Sequence, residues 1–300
     1  MKVLITGATG LVGKAIVAQC HQQNIVVHYL TTSKDKLENK ENYKGFYWNP
    51  SNHEIDTACL EGVEVVINLA GATIANRWTA AYKNTILNSR LNTLRLMKQT
   101  LENNPHTVSH VISASAIGIY PDSLTNYYDE DTPGVSASFL GQVVEQWEAM
   151  TDQFKSLNVL VSKVRIGLVL DAKEGALPQI VKPVKFGAGA AFGSGNQWQS
   201  WIHITDLARV FMFVMEQKMP GVFNAVAPNP VTNTELTKAV ASVLKKPLFL
   251  PNIPKSAMKL VLGEMHILLF ESQRVSSKKI EEAGFQFQFV CIKPALQNLL

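Results

Sequence analysis

The chain opens Met1-Lys2-Val3-Leu4-Ile5-Thr6-Gly7-Ala8-Thr9-Gly10-Leu11-Val12-Gly13, and the reading of this stretch decides the fold. Val3, Leu4 and Ile5 make a short continuous apolar run, the pattern of a strand covered on both faces. Gly7, Gly10 and Gly13 follow three apart, where a strand should turn into a helix. Gly7 permits the tight turn, Gly10 lets backbone N–H groups approach a pyrophosphate, and Gly13 lets the helix pack closely on its strand. The helix N-terminus adds unpaired donors and the positive end of a dipole, which favours an anion. A glycine-rich turn without a ligand would carry the same glycines. The strand before them and the helix after them favour a phosphate-binding turn.

Lys14 to Gln22 continues as a helix with Ile16 and Cys20 on one face, Asn24 ends it, and Ile25 to Leu30 reads as a second strand. A carboxylate roughly 20 residues beyond the glycines would hold a ribose hydroxyl and select NAD. The strand tip instead reads Thr31-Thr32-Ser33-Lys34, with Asp35 arriving later in a charged loop. Hydroxyls together with Lys34 and Lys36 suit a 2′-phosphate, so NADP is favoured over NAD, although no arginine is there to clamp it bidentately. Residues 43 to 60, including Phe46-Tyr47-Trp48-Asn49-Pro50, read as turn-rich and without a usable motif. Val63 to Gly71 is the next strand, and its small-residue exit can lie against an adenine or ribose. Thr79 to Asn103 forms a long helix with an apolar side of Ile86, Leu87, Leu91, Leu94 and Met97, and Arg90 reads either as a solvated helix arginine, the commoner outcome of such spacing, or as a group reaching an anion at the pocket edge.

Val108 to Ser113 predicts a further strand, with Ser113-Ala114-Ser115-Ala116 at its C-terminal end. That end faces the ligand crevice of an open parallel sheet, so a hydroxyl there can polarise a carbonyl. Tyr120 lies just beyond, in a loop ending at Pro121. Phe139 to Phe154 reads as a helix and Val159 to Leu170 as a strand with an extension. Gly187, Gly189, Gly193 and Gly195 then read as a mobile loop over the ligand site or as a linker. Thr205 or Asp206 caps a helix running to Glu216, Val222 to Val226 is a strand, and Thr232-Asn233-Thr234-Glu235 opens another capped helix. The alternation Phe285-Gln286-Phe287-Gln288-Phe289 suits a half-buried strand.

Apolar content of 46% and charged content of 17% describe a globular chain able to bury a large core. A net charge of +4, spread along the sequence, fits an anionic small ligand and falls short of a nucleic-acid footprint. The three cysteines, Cys20, Cys59 and Cys291, are far apart and lack metal spacing, which suits a reduced compartment. The first strand starts at Lys2, and no apolar run approaches the ~20 residues of a membrane helix, so a cytoplasmic protein is expected.

Alternating strands and helices behind one phosphate-binding turn predict an α/β, doubly wound parallel-sheet Rossmann fold. Here the chain resembles the extended, sugar-nucleotide-epimerase-like branch of the short-chain dehydrogenase/reductase superfamily. It is most similar to the group called epimerase family proteins, some of whose members are described as cell-division inhibitors. Thr6-Gly7-Ala8-Thr9-Gly10-Leu11-Val12-Gly13 matches the group's cofactor motif. Asn68-Leu69-Ala70-Gly71, Ser89-Arg90, Ser113-Ala114-Ser115-Ala116, Gly193-Ser194-Gly195, Trp201-Ile202-His203-Ile204 and Gln273-Arg274-Val275 match in order along the chain. The resemblance implies that residues 1–170 plus 201–228 form the cofactor domain and 171–200 plus 229–300 a smaller substrate lobe. It implies pyrophosphate contacts from Gly7, Thr9, Gly10, Leu11, Val12 and Gly13, and contacts to the adenosine ribose or its phosphate from Thr31, Thr32, Ser33 and Lys34. Leu69, Ala70, Gly71, Arg90 and Ile166 would line the cofactor, and Gln197, Gln199 and His203 lie where extended relatives contact a nucleotide sugar. A homodimer through the two long helices is a further implication.

The superfamily works with a Tyr-x-x-x-Lys pair on the helix after the serine, the lysine lowering the phenol's pKa so that it can move a proton. Here Phe139 and Val143 stand in those places, without a hydroxyl or a charge. Three readings follow. The chain is an NADP-dependent redox enzyme or epimerase acting on a nucleotide-sugar-like or carbonyl compound, with Ser115 and Tyr120 as the candidate catalytic residues. Alternatively it binds NADP without turnover, as a regulatory or scaffold protein. In the third reading it is an interaction protein linked to cell division.

Overall fold

Besides two short antiparallel strands, Asn39–Lys40 and Glu54–Ile55, at one edge, the nine-stranded sheet has seven parallel strands: β1 Lys2–Thr6, β2 Val26–Thr31, β3 Tyr43–Asn49, β4 Val65–Asn68, β5 His110–Ala116, β6 Leu160–Ile166 and β7 Gly221–Ala225. They lie in the order β3-β2-β1-β4-β5-β6-β7 in a computed structural model that describes residues 1–300. The order reverses between β1 and β4, which places the topological switch point over the opening glycines. Val3, Leu4, Ile5, Val66, Ile67, Val111 and Ile112 have no exposed surface, because helices cover both faces of the sheet.

Helices α1 (Leu11–Gln22) and α5 (Ile204–Glu216) pack together, and α2 (Ala80–Asn103) packs with α3 (Phe139–Asp152). Thr79 and Ser138 cap α2 and α3 through their hydroxyls. Beyond the sheet, α4 (Leu177–Lys185), α6 (Asn233–Val243) and the closing helix Ile292–Leu299 enclose a second apolar cluster around Leu177, Trp201, Val240 and Leu296. The capping box that opens α6 is complete, with Thr232 and Glu235 bonding each other's backbone N–H. Short helices α7 (Lys255–Leu262) and α8 (Ile267–Phe270) lead back towards the sheet.

Several segments depart from the sequence reading. The stretch through Phe46 and Trp48 is not a turn but strand β3, paired in parallel with β2 and on its other side with the two short antiparallel strands. The Phe285–Phe289 alternation keeps its pattern of burial without becoming a strand. The N–H groups of Gln288 and Phe289 donate instead to the Asp206 carboxylate at 3.0 and 2.9 Å. Asp206 therefore does not cap α5; His203 does, its ring Nδ1 accepting from the Thr205 N–H. The late glycines form neither a lid nor a linker. Gly193 and Ala191 pair with the backbone of Ile253, and Gly195 accepts the Thr234 N–H.

Candidate functional site

A cleft of about 780 Å³ opens over the C-terminal ends of β1, β2 and β4. At its centre Gly7 turns with φ +74°, and a Cβ on Gly13 would stand 2.2 Å from the Gly7 carbonyl oxygen. Helix α1 starts at Leu11 behind Gly10, which supplies no side-chain cap, and no acidic residue occupies its first turn. Its orphan N–H groups are thus left for an anion. The floor is fixed by a hydroxyl–amide chain across three strands. Thr6 Oγ1 donates to Asn68 Oδ1 at 2.8 Å and accepts from the N–H groups of Leu69 and Ala70, while Asn68 Nδ2 donates to Ser113 Oγ.

One end of the cleft is rimmed by Thr31, Thr32, Ser33, Asn49 and Ser51 with Lys36, the single ionisable side chain in its lining. No carboxylate faces it. Lys34, expected at the same place, instead sets its ammonium over the Tyr47 ring. Leu69, Ala70, Gly71 and Thr9 line the cleft as expected, and α2 contributes Ser89 together with Asn84, Asn88 and Asn92, whose amides carry no motif. Size, glycine cradle and rim together fit a dinucleotide bearing an extra phosphate.

Arg90 and Ile166 lie elsewhere, in a smaller cavity of about 210 Å³ beside the cleft. Its walls are Ala116, Ile117 and Gly118 after β5, Leu140, Val143, Val144 and Trp147 of α3, and Trp198, Gln199, Glu271 and Gln273 from the rest of the chain. Phe139 is absent from the lining; its ring packs edge-on against Trp78. The α3 side chains that do face the cavity carry neither a phenol nor an ammonium. The guanidinium of Arg90 lies 5.0 Å over the Trp147 ring, and its Nη1 donates to the carbonyls of Ile86 and Ala72. No carboxylate pairs with it, and burial draws its pKa down to about 10. Burial also raises the Glu271 carboxyl above its ordinary range, with Asp122 adding to the rise and Ser138, Gln273 and Lys255 opposing it.

Ser115 and Tyr120, the expected catalytic pair, are not in this cavity. Successive side chains alternate faces along a strand, so Ala116 reaches the cavity and Ser115 turns away from it. Ser115 Oγ donates to Glu148 Oε1 at 2.6 Å, and Arg165 grips both oxygens of the same carboxylate from Nε and Nη2. The Tyr120 hydroxyl accepts from Arg165 Nη1, donates to Asn224 Oδ1, and is pushed up to about 12 by burial against the pull of Arg165. A phenol so enclosed cannot reach a substrate. Gln197 and His203 are also structural: Gln197 donates to the carbonyls of Phe192 and Leu269, and His203 caps α5. Only Gln199 of that expected trio lines the cavity.

A parallel doubly wound sheet with a glycine cradle at its switch point defines a dinucleotide-binding Rossmann protein. Residues 3–139 match the NAD dependent epimerase/dehydratase family, and residues 253–299 match a domain of unknown function, DUF1731. An epimerase family protein of Staphylococcus aureus (strain MRSA252) is 34% identical over 99% of this chain and 98% of its own length. A chloroplastic homologue from Arabidopsis thaliana, an epimerase family protein of the SDR39U1 type, is 34% identical over the whole chain and 87% of its own. The crystal structure of human epimerase family protein SDR39U1 (isoform 2) with NADPH superposes with a TM-score of 0.87 at 29% identity, covering 100% of this chain and 99% of that one. UDP-glucuronic acid 4-epimerase from Bacillus cereus superposes at 0.79 and 15% identity over 99% and 97% of the two chains, a likeness of fold alone. This chain belongs to the epimerase family proteins, within the extended short-chain dehydrogenase/reductase type.

Proposed function

We propose that the chain binds NADP(H) in the large cleft and acts as an oxidoreductase or epimerase on a small molecule held in the adjoining cavity. The observation that carries the cofactor reading is the rim of Thr31, Thr32, Ser33 and Lys36 with no carboxylate in the lining. A ribose diol would need an acid there, whereas a 2′-phosphate needs donors and positive charge. The human relative crystallised with NADPH supports the same choice. When bound, the dinucleotide would supply or accept hydride. The chain's part is to cradle the pyrophosphate at Gly7–Gly13, hold the 2′-phosphate at Lys36, and wall the reacting end with apolar side chains.

The usual tyrosine–lysine pair is replaced in this reading. The cavity-facing positions of α3 are Leu140, Val143, Val144 and Trp147, and Phe139 and Val143, which stand in the places of the pair along the sequence, carry neither group. The proton donor therefore comes from outside α3, and the segment closing the cavity from the C-terminal side acts as the substrate lobe. That apolar α3 wall also favours a second reading, a cofactor-binding protein without turnover. Titrating NADPH and NADH by fluorescence tests the cofactor, with NADPH expected to bind at least tenfold tighter. Incubation with NADPH and a panel of carbonyl compounds tests turnover. Tight NADPH binding with no oxidation by any compound would leave the silent reading standing.

A further inference from the structure

The smaller cavity contains two ionisable side chains, Arg90 and Glu271, on walls supplied by distant parts of the chain. Neither forms an ion pair: no carboxylate lies within salt-bridge distance of Arg90, and no cation within that distance of Glu271. Arg90 is half-buried, and a guanidinium that loses part of its hydration without gaining an anion carries a cost that folding chains normally offset by pairing. Here an arginine and a glutamate share one cavity without meeting. Arg90 spends Nη1 on two carbonyls and keeps Nε and Nη2 without a protein partner, two donors of the planar fork that matches a carboxylate. Glu271 accepts a long contact of 3.4 Å from Gln273, and the Ser138 hydroxyl also stabilises its charged form.

We infer that this cavity is the binding site for a small carboxylate that also carries a carbonyl or hydroxyl group, with Arg90 holding the carboxylate and Glu271 meeting the second oxygen. The inference rests on the NADP(H) reading of the neighbouring cleft and deepens it. A cavity of about 210 Å³ falls below the roughly 300 Å³ at which drug-sized ligand sites begin, so a nucleotide sugar does not fit and a molecule of a few carbons does. Eleven of the 18 lining residues are hydrophobic, which excludes water and strengthens a charge-assisted bond to Arg90. Glu271 in its protonated form donates a hydrogen bond to the carbonyl oxygen. In a reduction it would release that proton to the oxygen as hydride from the bound dinucleotide reaches the carbon. The C–O π bond breaks, one C–H and one O–H bond form, the carbonyl compound is reduced and the dinucleotide is oxidised.

The test is isothermal titration of NADPH-loaded protein with oxamate and with pyruvate, 2-oxobutyrate and the neutral analogue pyruvamide. The acids are expected to bind and the amide not. Arg90→Gln should weaken acid binding roughly tenfold to a hundredfold while leaving NADPH affinity unchanged, and Arg90→Lys should restore part of it. Wild type should bind the acids more tightly at low pH, where Glu271 is protonated and donates, and Glu271→Gln, which keeps a donor at every pH, should retain acid binding without that pH dependence. Circular dichroism confirms that each variant folds. Failure of every acid to bind a protein that holds NADPH normally would overturn the site and leave the cofactor reading intact. Loss of NADPH affinity in Arg90→Gln equal to its loss of acid affinity would give Arg90 to the dinucleotide instead. Failure of wild type to bind NADPH would remove both.

Discussion

Two arginines lie against α3 in this protein, Arg165 buried and Arg90 half-buried, and their surroundings are opposite. Arg165 on β6 is enclosed with Glu148, Ser115 and Tyr120, with Lys163 3.5 Å from the same carboxylate. Burial alone would lower Arg165 and raise Glu148, but their mutual bonds overcome it, holding the guanidinium above and the carboxyl below their ordinary ranges. Arg90 has only carbonyls and an indole face, and burial prevails. A charge whose partners are all present belongs to the fold. One whose anion is missing is kept for something that arrives later. This difference corrects the sequence reading at its centre, since Ser115 and Tyr120 belong to the satisfied cluster.

The comparison breaks most directly in stability measurements. Glu148→Ala leaves Arg165 buried without a carboxylate and should cost about 3–5 kcal/mol in urea unfolding. Arg90→Met, which removes a charge that has no counter-ion, should cost about 1 kcal/mol or less. Equal losses would mean that Arg90 is structural after all.

Acid unfolding sharpens the same contrast. Glu148 is held below its ordinary range, so its pairing stabilises the fold at neutral pH and that contribution fades as pH falls through the depressed value. His110 acts in the same direction. Its Nε2 lies 2.6 Å from Ser162 Oγ, whose hydroxyl is committed to the Met219 carbonyl, so Nε2 carries the proton and Nδ1 is buried without a partner. Burial pulls its pKa from 6.5 to about 4. The unfolded chain therefore binds the extra proton first, and stability should fall by on the order of 3 kcal/mol between pH 6.5 and 4. An NMR titration showing His110 charged at pH 6 would contradict this.

The opening glycines yield a third test, of the cleft rather than the cavity. A methyl on Gly13 has no room, with Gly7 O at 2.2 Å and Ala8 Cα at 2.6 Å. Gly13→Ala should push the turn out of shape, cost about 1–3 kcal/mol and weaken NADPH binding at least tenfold. Gly10 meets one atom only, at 3.4 Å, so Gly10→Ala should leave stability nearly unchanged and act on cofactor affinity alone.

What could be read in advance was whatever local pattern alone decides. Unbroken apolar runs gave the central strands, and hydroxyls at Thr79 and Thr232 gave helix starts, because strand burial and capping are short-range effects. Strand β3 escaped because only Phe46 and Trp48 along it are buried, its outer side meets just two-residue strands, and Pro50 follows Asn49, so its residues read as a turn. Asp206 resembled an N-cap, yet its carboxylate satisfies backbone donors more than eighty residues away. Glu271 carried no motif; its meaning depends on the C-terminal segment folding back over α3. Ser115 was misplaced by a single step along β5, enough to reverse the face of a strand.

The smallest effects test whether the Arg165 cluster behaves as one unit. Ser115→Ala removes one donor from a carboxylate that still holds both Arg165 bonds, and Tyr120→Phe removes one acceptor from a guanidinium that still holds Glu148. Each should cost about 1 kcal/mol. Because both act on the same Glu148–Arg165 pair, the double variant should differ from the sum by at least about 0.5 kcal/mol. Neither change touches the cleft or the cavity, so NADPH affinity should stay within twofold of wild type in both. A cofactor-dependent defect in Tyr120→Phe without loss of stability would return the phenol to the chemistry. The enclosure of its hydroxyl between Arg165 and Asn224 argues that no such defect will be found.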